Sequence, residues 1–476
     1  MTFASTPHPT TTKPHDDTEL GVMSFDDNGF SRFIERRTEP TWLTARRKEA
    51  WAIYESLDWP NPRDENWMRS DLRGFRIAKF APNIDESVTI PSTTPVRLRT
   101  VTTASGTDAA GTEVTGTHSN GTDTTLEVSG SLQSVNGIVI AEALDPQLAA
   151  KGVIVGSLAR CARDHSKLVE THLHKTINAS ADRFAALQQA MWSDGYFIYV
   201  PKNVRVPLPI HIHAAMGDGQ VDLSHTLIVL EDGAEATVLF ESASPSDQAN
   251  GFHCGGVELI QRSGSHLRYV NLQDWGRNAW HFAHQRASVG RDASLQWTVA
   301  AMGSRFAQVD QRVELVEPGA TSQVNGVMFT RDKQHLVYNT LQHHNAPHCR
   351  SDFLYKSVLQ DRSRTVWRGM IKVSEGAQKT DGYQRNDNLM LSDTSRADSI
   401  PGLEINADDV RCTHGSTSGR VDEELIFYAQ SRGFTRSEAV RMIVTGFFQQ
   451  IFDRITIESV RDALGAAIAR QVRQYE

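Results

Sequence analysis

Cysteine is scarce in this chain: four residues in 476, at 161, 254, 349 and 412, with no Cys-x-x-Cys pair among them. That usage argues against structural zinc and against a dense disulfide framework, and it suits a reducing cytosol. A basic surplus is also missing. Lys and Arg number 49 against 57 Asp and Glu, a formal charge of -8, which argues against a general nucleic-acid binder. Long apolar runs are absent, since GVIVGSL and HTLIVLE are the length of strands and no membrane span is expected. There is no GxxxxGK[ST] phosphate loop, no GxGxxG after a strand and no GxSxG elbow. These gaps exclude ATP hydrolysis and dinucleotide binding by those routes. GSTSG at 415–419 lacks the lysine of a phosphate loop and reads as a turn. The first twenty residues have no apolar core and carry acidic groups, which fits neither a secretory signal nor a transit peptide. Residues 1–24 read as a disordered leader, and the expected compartment is the cytoplasm.

Apolar periodicity fills most of the remainder. Within 25–60, Trp42, Leu43, Ala50, Ile53, Tyr54 and Leu57 recur at helical spacing until Pro60 and Pro62 forbid continuation. This defines an N-terminal helical region over 25–100. Residues 101–137 are dominated by Thr, Gly and Ser and read as an insert or loop without a core of its own. A mixed strand and helix region over 138–194 leads into the core, with a helical stretch from Asp182 to about Trp192. From 195 to 420 nearly every segment alternates apolar and polar residues, the period of a strand. Turn signals recur at Asp232-Gly233, Ser263-Gly264, Arg291-Asp292, Pro318-Gly319 and Glu375-Gly376. Their spacing, about 27 to 31 residues with one gap of nearly twice that, is the period of stacked coils. Alternating strands without interleaved helices exclude a doubly wound sheet and leave a parallel β-helix or a sandwich, and the repeat favours the solenoid. Residues 421–476 form a helical end. Gly433 stands as a C′ stop, Thr435-x-x-Glu438 is a capping box, and Ala439, Met442, Ile443, Phe447 and Ile451 follow at helical spacing. A last amphipathic segment carries Val460, Leu464, Ile468 and Val472.

The most chemically suggestive pair is Cys412 and His414. Two residues apart on a strand, they point a thiol and an imidazole to the same face. The opposing interpretation is a small buried hydrophobe beside an ordinary hydrogen-bonded histidine. His343, His344, His348 and Cys349 are also rich in metal-capable groups, but Pro347 bends the segment and no carboxylate pattern accompanies it, so polar packing at a coil corner is the expectation. Asp408 and Asp409 are adjacent on a strand, hence on opposite faces, and cannot easily flank one substrate.

Several stretches carry a resemblance: EPTWLTARRKEAW with PRDENW, FAALQQAMWSDGYFIYVPKNVRVPLPIHIH, SDFLYK, AQKTDGYQRNDNLMLSD and LEINADDVRCTHGSTSGRVDEELIFYAQSRG. Together they are similar to the SufB/SufD family of iron–sulfur cluster assembly proteins, over nearly the whole chain apart from the leader and the Thr/Gly-rich insert. The resemblance implies a mainly β fold, a right-handed parallel β-helix between N-terminal and C-terminal helical parts. It also implies a scaffold rather than an enzyme, with no permanently bound cofactor and an iron–sulfur cluster held only in transit. SufB-like members carry a cysteine just before the P-x-[LI]-E-[IV] segment. Here LSDTSRADSIPGLEI has none, and no cysteine occurs between Arg350 and Arg411. The DDVxCxHG motif is similar to the SufD branch. By that resemblance His414, with Cys412 beside it, is the candidate ligand of a nascent cluster at a subunit interface. The implied partners are a SufB-like paralogue along the β-helix edge and a SufC-type ABC ATPase on the C-terminal helices. Two competing readings are a self-sufficient homodimeric scaffold and a β-helix polysaccharide-active enzyme, the latter lacking an evident row of carboxylates.

Overall fold

The alternating segments find their hydrogen-bond partners one repeat away. In the computed structural model, residues 24–82, 101–103 and 126–455 are described, together with 458, 461, 464, 465 and 468. The expected leader lies outside the described residues except for Ser24, as do 104–125 of the Thr/Gly-rich stretch and most of the last amphipathic segment. Apart from the short strand Gln220–Asp222, which shares a sheet with the strand that follows it, successive strands from Gly195 alternate between two ten-stranded sheets, one to each per coil. Pairing within the coils is parallel: Ser294 lies beside Thr321 and Arg364 beside Arg396, steps of 27 and 32 residues. The result is a right-handed β-helix of about eight turns with helical flanks.

The inner faces bury the apolar half of each alternation. Trp297, Tyr269, Tyr338, Tyr355 and Trp367 fill the interior with alanines and valines between them. Corners are tight. Gly319 has φ +79, a conformation in which any side chain is strained, and a Cβ there would displace the Asp292 carboxylate, 2.0 Å away. At the N-terminal end the pairing turns antiparallel, Gly130–Val135 with Ile138–Leu144 and Ile154–Ser157 with Gly195–Val200. The stretch 101–137, read as a loop, therefore contains strands among its described residues: Val101–Thr103 paired with Leu126–Val128, and Gly130–Val135. Val128, Leu132 and Val135 are buried there, too sparse among Ser, Thr and Gly to give a clear strand signal in the sequence.

The two outer faces are covered by different helical parts. Helices Asp27–Glu35 and Thr41–Ser56, the latter N-capped by Pro40, and helix Arg183–Met191, capped by Asp182, pack on one sheet. An aromatic layer joins them to it: Phe30 stacks on Trp51 at 4.6 Å and Phe184 on Phe282 at 3.7 Å. On the other sheet lie helices Glu423–Ser431 and Arg436–Phe452, whose Val444, Phe448 and Ile451 meet Leu272, Val327 and Leu354. Gly433, at φ +94, ends the first of these helices. Thr435 and Glu438 form the reciprocal capping box of the second. No helix among the described residues is long and apolar enough to cross a membrane.

Candidate functional site

Both sheets finish at the same end of the solenoid. The last strand of one is Val410–Arg420 and of the other Arg396–Ile405, and among the described residues each is paired on one side only. GSTSG is thus not a turn: it is the second half of the terminal strand, held extended by its ladder to Arg385–Leu389. Glycine and serine suggest a turn locally, but the neighbouring strand overrides them.

Cys412 and His414 share the inner face of this strand, in register with Gly382 and Gln384. Their surroundings differ. Cys412 is half-buried against Ile371, Val373, Ala377 and Ile405, with Gly382 leaving room: a Cβ there would stand 3.3 Å from Sγ. Burial pushes the Cys412 thiol above its ordinary range, so it is protonated at neutral pH and must lose a proton before it can hold a metal. The His414 side chain is exposed and makes no hydrogen bond or ion pair among the described residues. The strand thus sets an exposed imidazole and a half-covered thiol side by side, two side chains of the kind that can hold iron.

Amides line the floor beneath. Gln384 is fully buried and donates from Nε2 to the carbonyls of Gly402 at 3.0 Å and Gly369 at 3.5 Å, bridging the two sheets. Asn386 donates to the Tyr355 carbonyl, and Asn388 to Asn386 Oδ1 and to Ser418 on the terminal strand. Sequence reasoning missed Gln384, Gly369 and Trp367 as parts of this floor. The available signal was Gly369, a glycine inside an alternating strand, which marks a close approach.

The histidine-rich segment is dispersed. His343 faces outward to Glu314 at 2.7 Å, whereas His344 turns inward and bonds Ser351 Oγ at 2.7 Å. His348 occupies a left-handed corner at φ +61, and the buried Cys349 thiol donates to the Glu317 carbonyl. Asp409 is ion-paired with Lys379. Among the described residues, no three His, Cys, Asp or Glu side chains converge as a metal site would require.

Comparison with known proteins bears on the whole arrangement. Residues 212–447 match the family described as "SUF system FeS cluster assembly, SufBD core domain", and residues 126–212 match "SufBD protein N-terminal region". An iron-sulfur cluster assembly SufBD family protein of Mycobacterium tuberculosis is 32% identical over 304 residues, 62% of this chain and 75% of the relative. The chain belongs to the SufBD family. SufBD proteins of Staphylococcus saprophyticus and Staphylococcus aureus are 27% and 26% identical over 321 residues, each alignment spanning 67% of this chain and 69% of the relative. The SufBD core match includes both Cys412 and His414 and ends inside the helix Arg436–Phe452.

Proposed function

We propose that this SufBD-family chain is a SufD-type scaffold subunit of the cytoplasmic SUF machinery, on which an iron–sulfur cluster is built as cargo and then released. The observation that carries the proposal is the open end of the solenoid, where the terminal strand presents His414 and Cys412 beside two sheet edges paired on one side only. Such edges invite a further strand. A SufB-like paralogue added there supplies the thiolate that this chain lacks between Arg350 and Arg411. His414 contributes an imidazole nitrogen, and Cys412 contributes its sulfur once its proton leaves. Ligands divided between two subunits can be withdrawn by separating them, which suits a cluster that must be handed on.

The C-terminal helices are assigned the docking of a SufC-type ATPase. Leu425, Phe427, Tyr428 and Met442 are exposed on them and Phe434 on the connection between them, Phe427 at 74%. Clustered exposed apolar side chains mark interaction surfaces. Polar contacts run from these helices to the terminal strand. Lys356 Nζ donates to the Phe447 carbonyl at 2.9 Å and lies 3.7 Å from Asp387, which accepts from Thr417 Oγ1 at 2.6 Å. Movement of the docked ATPase would reach the strand of His414 along that line.

Purification with and without the paralogue and the ATPase tests this reading. A colourless chain that acquires a cluster only in the complex supports it. Cluster assembly on the chain alone would point instead to a homodimeric scaffold.

A further inference from the structure

Gln384 uses only half of its amide. Its Nε2 is spent on Gly402 and Gly369, while its Oε1 is sealed from water and accepts from no group among the described residues. An unanswered buried acceptor is costly and calls for a reason. The space it occupies is reserved for it: a Cβ at Gly369 would stand 2.4 Å from Oε1 and 2.2 Å from the Trp367 ring. Its neighbours on the same inner face offer no equivalent, since Gly382 has no side chain and Asn386 Oδ1 already accepts from Asn388. In register with Gln384, on the adjoining strand and the same face, is His414, whose imidazole has no partner among the described residues.

A histidine that binds metal through one ring nitrogen directs the other ring N–H to an acceptor, and that contact fixes tautomer and ring orientation. We infer that Gln384 is the positioning residue for His414: when a partner strand covers the terminal coil and turns the imidazole onto the floor, Gln384 Oε1 accepts one ring N–H and leaves the other nitrogen for cluster iron. This rests on the reading of His414 as a ligand. The acceptor and donor ends of one amide then have separate tasks, Oε1 aiming the ligand and Nε2 tying the last two coils together.

Gln384→Met removes both ends, and Gln384→Glu keeps an acceptor while losing the amide donor. In the reconstituted complex with the paralogue and ATPase, the readout is the rate at which cluster absorbance is lost to an iron(II) chelator. Gln384→Met is expected to speed the loss at least tenfold and Gln384→Glu to restore slow loss. Equal, fast loss from both variants would mean that Gln384 only ties the coils, and wild-type retention by Gln384→Met would mean that it does nothing here; either result overturns the inference. His414→Ala run alongside separates the failures, because wild-type retention in that variant removes the ligand role itself. A second measurement needs no variant at position 384. In the complex, the ring ¹⁵N shifts of His414, assigned by difference from His414→Ala, should show a single tautomer, and a mixture overturns the inference.

Discussion

His225 Nε2 donates to Glu258 Oε2 across 3.1 Å, with both side chains fully buried on the outer face of the solenoid beneath the segment 174–177. Glu258 also accepts from the N–H groups of His174 at 2.6 Å and Thr176 at 2.7 Å, and from Thr176 Oγ1 at 2.8 Å. Burial works to raise its carboxyl, but the His225 imidazole and these donors outweigh it and hold the group at about 2. One carboxylate thus fastens the N-terminal part to the early coils.

Removing it should be expensive. Glu258→Ala strands an imidazole and several buried N–H groups, and loss of one partner of a buried pair costs about 3–5 kcal/mol. Urea unfolding should show a correspondingly lower midpoint. A change under about 1 kcal/mol, the scale of an exposed pair, would contradict the assignment.

Acid should loosen the fold through its buried histidines. His213, His335 and His344 are held at about 4, first by burial and then by His211, Arg364 and His343 respectively. The unfolded chain protonates these side chains near 6.5. Between those values the unfolded state binds more protons, so stability present above pH 6.5 is lost as the pH falls toward 4. Denaturant midpoints measured across that window should decline steadily. A flat profile would show that the three imidazoles are hydrated.

Phe427→Asp should abolish co-purification with a SufC-type ATPase while leaving the thermal midpoint within a degree or two. The side chain is 74% exposed, and surface changes of that kind usually alter stability by less than about 0.5 kcal/mol. Undiminished co-purification would move the docking surface elsewhere.

Local chemistry was legible in the sequence wherever the structure is local. The capping box of Thr435 and Glu438 and the left-handed Gly433 depend on residues within one turn, and both are present. The coil period was legible because every coil needs a corner, and corners demand Gly or Asp at regular intervals. The shared face of Cys412 and His414 followed from strand geometry alone. That one is half-covered and the other exposed did not, because Ile371, Val373 and Ala377, which cover the thiol, lie some 35 to 40 residues earlier and meet it only through the stacking of coils. The extended conformation of GSTSG was hidden for the same reason: its ladder partner, not its composition, decides it.

The account stands on His414 as the imidazole that this chain lends to a cluster shared with a second subunit. The direct measurement is cluster formed per complex by His414→Ala, purified with the paralogue and ATPase and compared with the parent at equal thermal stability. His414 is exposed and unbonded among the described residues, so the fold should be unaffected and cluster maturation severely reduced. Full maturation by that variant would contradict the account.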